Sequence, residues 1–107
     1  MTIQELQNRA LEIRKRYEDY ETKRNGKQWS NVDIAMGFAV DLGELLEIIM
    51  AKEGLRELDD VDKKLVHELS DCLWCILVLA SKYGIDIEKS FLGTMDELDK
   101  RLDGATS

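Results

Sequence analysis

Apolar residues recur at helical spacing along almost the whole chain. In residues 2–24, Ile3, Leu6, Ala10, Ile13, Tyr17 and Tyr20 step by three and four, and the opposite face is Glu, Arg and Lys. This is the pattern of an amphipathic helix with one buried stripe. Asn25-Gly26 reads as its stop, because glycine accepts the left-handed conformation of a helix C-terminus. A second helix is expected from Ser30 to about residue 52. Ser30 and Asp33 form a capping box with Asp in place of the usual Glu. Its apolar positions, from Ile34 and Phe38 through Leu42, Leu45, Ile49 and Met50, cover more than one face. A helix that apolar is buried on several sides.

Residues 53–60 form a polar connector, with Gly54 expected as a C-cap. A third helix runs from about Asp60 through Val61, Leu65, Leu69, Cys72, Leu73, Ile76 and Leu79 to about Tyr83, and Gly84 stops it. After Leu69 it too is apolar on several sides. Asp86 caps a fourth helix through Ile87, Phe91, Leu92, Met95 and Leu98 to about Leu102. The last residues, 101–107, read as a frayed tail. The expected fold is all-α: one domain over residues 1–107, a four-helix bundle with no sheet. Helices two and three are too apolar for a small bundle with one solvated face each. Their surplus predicts a core completed by homo-oligomerisation. Gly37 and Gly43 each cost about 1 kcal/mol inside a helix relative to Ala. Close approach of another helix or of a ligand would account for them.

Composition narrows the function. The chain has 107 residues, no proline and a net charge of -7. Nucleic-acid binding demands a basic surface, so that class is not expected. No apolar run reaches membrane-spanning length, and the polar, acidic start is unlike a signal peptide, so a cytoplasmic protein is expected. Cys72 and Cys75 are spaced CxxC, but no second Cys pair or His cluster completes a zinc site. Both are expected in the core.

The candidate chemistry lies in two acidic pairs set in the most apolar stretches, where charge is least expected. Asp41 and Glu44 are three residues apart on helix two, and Glu68 and Asp71 share that spacing on helix three. Residues three apart on a helix lie on one face, with Cβ atoms about 5–6 Å apart. If the two helices pack antiparallel, the pairs meet. Two unit charges about 6 Å apart repel by roughly 3 kcal/mol at an effective dielectric near 20. Four such charges make a cluster that must stay wet, take up protons or bind cations. Oxygen-only ligands select hard cations, with Mg²⁺ the first choice and Mn²⁺ a substitute. Mg²⁺ also binds substrate phosphates, so a phosphate ester or anhydride is the natural substrate.

The chain resembles the MazG-like all-α nucleoside triphosphate pyrophosphohydrolases, a superfamily that includes dimeric dUTPases and dCTP pyrophosphatases. The family's EExxE motif corresponds to Val40-Asp41-Leu42-Gly43-Glu44. Here Val40 stands at the first glutamate and Asp41 at the second. Its ExxD motif is Glu68-Leu69-Ser70-Asp71, followed by the apolar run from Cys72 to Leu77, and Tyr83 to Glu88 is also similar to the family. The resemblance covers about residues 29–102. It implies Mg²⁺-dependent conversion of a (d)NTP to the monophosphate and pyrophosphate, by water attack at the α-phosphorus. It also implies metal ligation by Asp41, Glu44, Glu68 and Asp71, with Glu44 and Glu68 as the catalytic carboxylates. A homodimer or homotetramer is expected, with neighbouring subunits completing the base pocket.

Other residues have lesser claims. Trp29 either stacks on a nucleobase or staples helix two to helix one. Glu47, one turn from Glu44, either assists the site or is solvated. Lys52 and Arg56 either meet phosphates or complement the helix dipole. Lys89, Lys100 and Arg101 are phosphate candidates without a motif. Trp74 is expected in the core and His67 on the helix surface. Two rivals remain: a nucleotide-binding or regulatory module that has lost turnover, which Val40 favours, and a helical interaction protein whose acids are surface. Only the first two readings, enzyme and module, predict stabilisation by Mg²⁺ or Mn²⁺.

Overall fold

The computed structural model describes residues 1–106, with the backbone alone for Asn25 and Thr106. It contains four helices, α1 (Ile3–Asn25), α2 (Asn31–Lys52), α3 (Val61–Lys82) and α4 (Ile87–Thr106), and no strand among the described residues.

Local chemistry sets most of the helix ends. Thr2 caps α1 by accepting the Glu5 N–H, and Gly26 closes it at φ 68°. Ser30 and Asp33 form the complete reciprocal capping box at the start of α2. At its far end Gly54 takes φ 83°, the Gly54 N–H donates to the Ala51 carbonyl, and the Leu55 N–H donates to that of Met50. This is a Schellman motif, which satisfies carbonyls that a helix end otherwise leaves orphaned. The same arrangement recurs at Gly84, where the N–H groups of Gly84 and Ile85 reach the Ser81 and Ala80 carbonyls. Asp86 accepts the Lys89 N–H at the start of α4. Helix α4 does not end near Leu102 as expected: residues 101–106 continue the helix instead of forming a tail. Ser107 lies outside the described residues.

Helices α2 and α3 form the central antiparallel hairpin, and α1 packs mainly on α3. The buried core joins Ala10 of α1, Ile34 of α2, and Leu77 and Val78 of α3, with Ile3, Trp74, Leu79 and Ile87 packed around it. Two side chains pin α1 to α3 by donating to carbonyls inside a helix. Gln7 Nε2 reaches the Leu77 carbonyl at 3.3 Å, and Trp74 Nε1 reaches that of Ala10 at 3.2 Å.

The buried stripe of α1 differs from the one its apolar residues suggest. Leu6, Tyr17 and Tyr20 are exposed, while Gln7, Ala10, Arg14 and Glu21 are buried. The stripe is rotated toward polar residues because those residues find partners inside, which removes the penalty for burying them.

The apolar surplus of the hairpin lies on the surface of the single chain: Val32, Met36, Val40 and Leu46 on α2, and Val66, Leu69 and Leu73 on α3. Helix α4 also leaves Phe91, Leu92, Leu98 and Leu102 exposed. No described helix is long and apolar enough to cross a membrane.

Candidate metal centre and adjoining cavities

Three of the four expected carboxylates converge. Asp41 and Glu44 of α2 and Glu68 of α3 each present an oxygen, and the three oxygens lie within 4.8 Å of one another. Glu68 is the interior member, 6% exposed. Its Oε1 is buried without a hydrogen-bond partner. Burial pushes its pKa up to about 7, and the charges of Asp41, Glu44 and Asp71 push the same way. An orphaned buried carboxylate oxygen beside two more carboxylates is a donor set suited to a hard divalent cation.

Asp71 is near enough to act on Glu68 but stands outside the trio. Its Oδ2 lies 3.1 Å from Nε2 of His67, one turn earlier on α3. His67 is on the helix surface, as expected, and the i,i+4 spacing to Asp71 was the available signal for this pairing.

Asp41 and Asp71 border a cavity of about 580 Å³ formed where α1 meets the hairpin. Tyr17, Trp29 and Trp74 line it, with Gly37, Asp41, Ser70, Asp71 and Cys75. Tyr17 and Trp74 meet edge to face, ring centroids 6.2 Å apart. Trp74 is thus both a core residue and a cavity wall. A Cβ on Gly37 would lie 3.7 Å from the Trp29 ring, so the bare backbone there leaves room for that ring. Burial raises the pKa of Cys72, and that of Cys75 to about 11, which keeps both thiols protonated near neutral pH and fits the expected core role.

A buried ion pair holds Trp29 in place. Arg14 is 2% exposed and grips Glu21 with two hydrogen bonds of 3.2 Å each. Arg14 Nη2 also donates to the Trp29 carbonyl, and Glu21 Oε1 accepts the Trp29 N–H at 3.0 Å. Both backbone polar groups of Trp29 are thereby fixed. Arg14 Nε lies 3.3 Å from Glu18 Oε1, an ion-pair distance without hydrogen-bond geometry. Glu18 is held below its ordinary pKa chiefly by its hydrogen bond to the Lys82 ammonium. Sequence reasoning missed this network. Its signal was that Ala10, Arg14 and Glu21 continue one face of α1 at helical spacing.

The remaining expected residues scatter. Lys52 is paired with Asp62 and Arg56 with Glu47, all on the surface. Glu47 lines a second cavity, of about 550 Å³, beside Glu44 and Glu68, while Lys52 lines neither cavity. Val40, where the family pattern carries its first glutamate, is 61% exposed on the outer face of α2.

The fold and site define an all-α protein with a carboxylate cluster fit for a divalent cation next to an aromatic cavity. The family model of the MazG nucleotide pyrophosphohydrolase domain matches residues 38–104, and the chain belongs to this family. No curated protein and no solved structure matches the chain. The matched region contains all four acidic residues of the two motifs, most of α2 and the whole of α3.

Proposed function

We propose that the protein hydrolyses a nucleoside triphosphate to the monophosphate and pyrophosphate, with Mg²⁺ as its cation and Mn²⁺ as a substitute. The observation that carries this reading is Glu68: a buried carboxylate with an unpartnered oxygen, held beside Asp41 and Glu44. Asp41, Glu44 and Glu68 would hold the cation, with Asp71 at the edge of the cluster. A cation bound there supplies Lewis acidity toward a phosphoryl oxygen. Water attacks the α-phosphorus and pyrophosphate leaves. Glu44, which is exposed to solvent, would accept the proton of that water. Trp29 and Trp74 offer ring faces to the nucleobase from the adjoining cavity.

The same reading has the chain act as a homodimer or homotetramer. Its support is the exposed apolar residues on α2, α3 and α4, more than a solitary chain of this size ordinarily leaves in water.

A second reading, a nucleotide-binding module without turnover, is favoured by Val40 alone. The test is a panel of (d)NTPs with Mg²⁺ or Mn²⁺, scored for monophosphate and pyrophosphate. Turnover that disappears in Glu68→Gln supports the enzyme. Turnover that survives it removes the assigned site, and binding without turnover across the panel selects the module.

A further inference from the structure

Asp41 and Asp71 line the first cavity and Glu44 and Glu68 the second, so the two follow one another as a groove along the seam between α2 and α3. Its α2 wall descends through Gly37, Asp41, Glu44 and Ile48, steps of four, three and four that keep one helix face. The facing wall of α3 passes from Trp74 through Asp71 and Glu68 to Lys64, steps of three, three and four. The groove therefore changes character along its length. It is aromatic where α1 covers it, acidic in the middle, and mixed toward the α2–α3 connector, where Lys63, Lys64 and His67 stand beside Glu47 and Asp60.

The connector end has three features of its own. Lys63, Lys64 and His67 line the second cavity together with Glu44 and Glu68. Among the described residues, neither Lys63 nor Lys64 makes an ion pair, whereas the nearby Lys52 and Arg56 are both engaged. Asp60, which also lines that cavity, sits at the N-cap of α3 in the left-handed region, and its side chain makes no capping hydrogen bond. The first-turn N–H groups and the positive end of the helix dipole are thus left without a side-chain acceptor. Independently of these, Glu68 lines the same cavity with its buried, unpartnered oxygen. A ligand that satisfies both ends must bring a cation to Glu68 and negative charge to the lysines. A polyphosphate carrying a divalent cation does both at once. Lys64 lies four residues before Glu68, about 6 Å along the helix axis. This is within reach of a lysine side chain to phosphates bridged to the cation.

We propose that Lys63 and Lys64 bind the two terminal phosphates of the substrate at the connector end of this groove, with the nucleoside in the aromatic cavity at the other end. The inference rests on the function proposed above and adds the direction in which the nucleotide lies and the residues that recognise its polyphosphate. It places the departing pyrophosphate beside the lysines and the retained monophosphate beside the tryptophans.

The test is calorimetric titration of the full chain with inorganic pyrophosphate at fixed Mg²⁺. It compares wild type, the double variant Lys63→Gln/Lys64→Gln, a control Lys15→Gln/Lys23→Gln at two exposed lysines of α1, and Glu68→Gln. Mn²⁺ binding, followed by electron paramagnetic resonance, reports the cation cluster and the fold separately. The expected result is pyrophosphate affinity weakened about tenfold or more in the Lys63/Lys64 variant, the scale of a lost charge-assisted contact. Mn²⁺ binding is retained in that variant, and the control matches wild type. Unchanged pyrophosphate affinity in the Lys63/Lys64 variant, with affinity lost in Glu68→Gln, overturns the orientation and leaves the proposed function standing. Loss of Mn²⁺ binding in the lysine variant also overturns it. A wild type that binds neither Mn²⁺ nor pyrophosphate removes the proposed function as well.

Discussion

Asp41 of α2 and Glu68 of α3 face each other across an antiparallel helix pair, with carboxylate oxygens within 4.8 Å and Glu68 almost wholly out of water. At that separation two full charges repel by roughly 3 kcal/mol at an effective dielectric near 20, and Glu44 adds two more such pairs. The hairpin holds them together because α2 and α3 pack through apolar residues on either side. The local conflict is relieved by a proton or by a cation.

In cation-free protein the proton is the relief, which gives a pH dependence of definite sign. The Glu68 pKa is about 7 in the fold against an ordinary 4.5. The folded state therefore binds more protons than the unfolded chain between these values. The contribution of Glu68 to stability is full below about pH 4.5 and is lost as pH rises through about 7. Urea denaturation in chelator should show stability falling from pH 5 to pH 8 by on the order of 1–3 kcal/mol from this group. Glu68→Gln should flatten that slope, and an unchanged slope would exclude Glu68 as its source.

Divalent cation should reverse the loss at pH 8. At a Mg²⁺ or Mn²⁺ concentration about 100 times its dissociation constant, stabilisation is about 2.7 kcal/mol, or a rise in Tm of roughly 10 °C. Asp41→Asn, Glu44→Gln and Glu68→Gln should each abolish most of the shift. Asp71→Asn should retain more of it, because Asp71 is turned toward His67. Equal losses in all four variants would place Asp71 back in the cluster.

The Arg14–Glu21 pair should show the asymmetry of buried charges. Removing the arginine alone, Arg14→Met, leaves Glu21 buried without its counter-charge and should cost about 3–5 kcal/mol. The double change Arg14→Met/Glu21→Leu should cost less than the single one, with Trp29 losing the partner of its carbonyl in the single variant and those of both backbone groups in the double one. Chemical denaturation measures the first effect and tryptophan fluorescence the second. A double variant as unstable as the sum of the singles would count against a paired role.

Gly37 sets the free space in the aromatic cavity. Gly37→Ala should be tolerated, since its Cβ would meet Trp29 at an ordinary contact distance of 3.7 Å. Gly37→Leu should fill the cavity or displace the Trp29 ring. It should weaken nucleotide-dependent quenching of the two tryptophans while leaving Mn²⁺ binding intact. Full quenching in Gly37→Leu would move the nucleobase elsewhere.

The helices and most of their ends were legible in the residues because capping is local. Ser30 and Asp33, Gly26, Gly54, Gly84 and Asp86 each act within a few residues of chain. The two acidic pairs stood out for a similar reason, as charges in runs too apolar to expect them. Which carboxylates meet was a different matter. Spacing along one helix tells which acids share a face, but not how that face is turned toward the neighbouring helix. The packing of α2 on α3 brought Asp41, Glu44 and Glu68 together and left Asp71 to His67. The rotation of α1 toward Gln7, Arg14 and Glu21 was likewise hidden, because a polar side chain becomes a core residue only when its partner, from another turn or another helix, is in reach. The order of aromatic, acidic and lysine-bearing segments along the groove rests on the antiparallel register of the hairpin. Spacing along one helix carries no information about its register against the next, and only the packed structure supplies it.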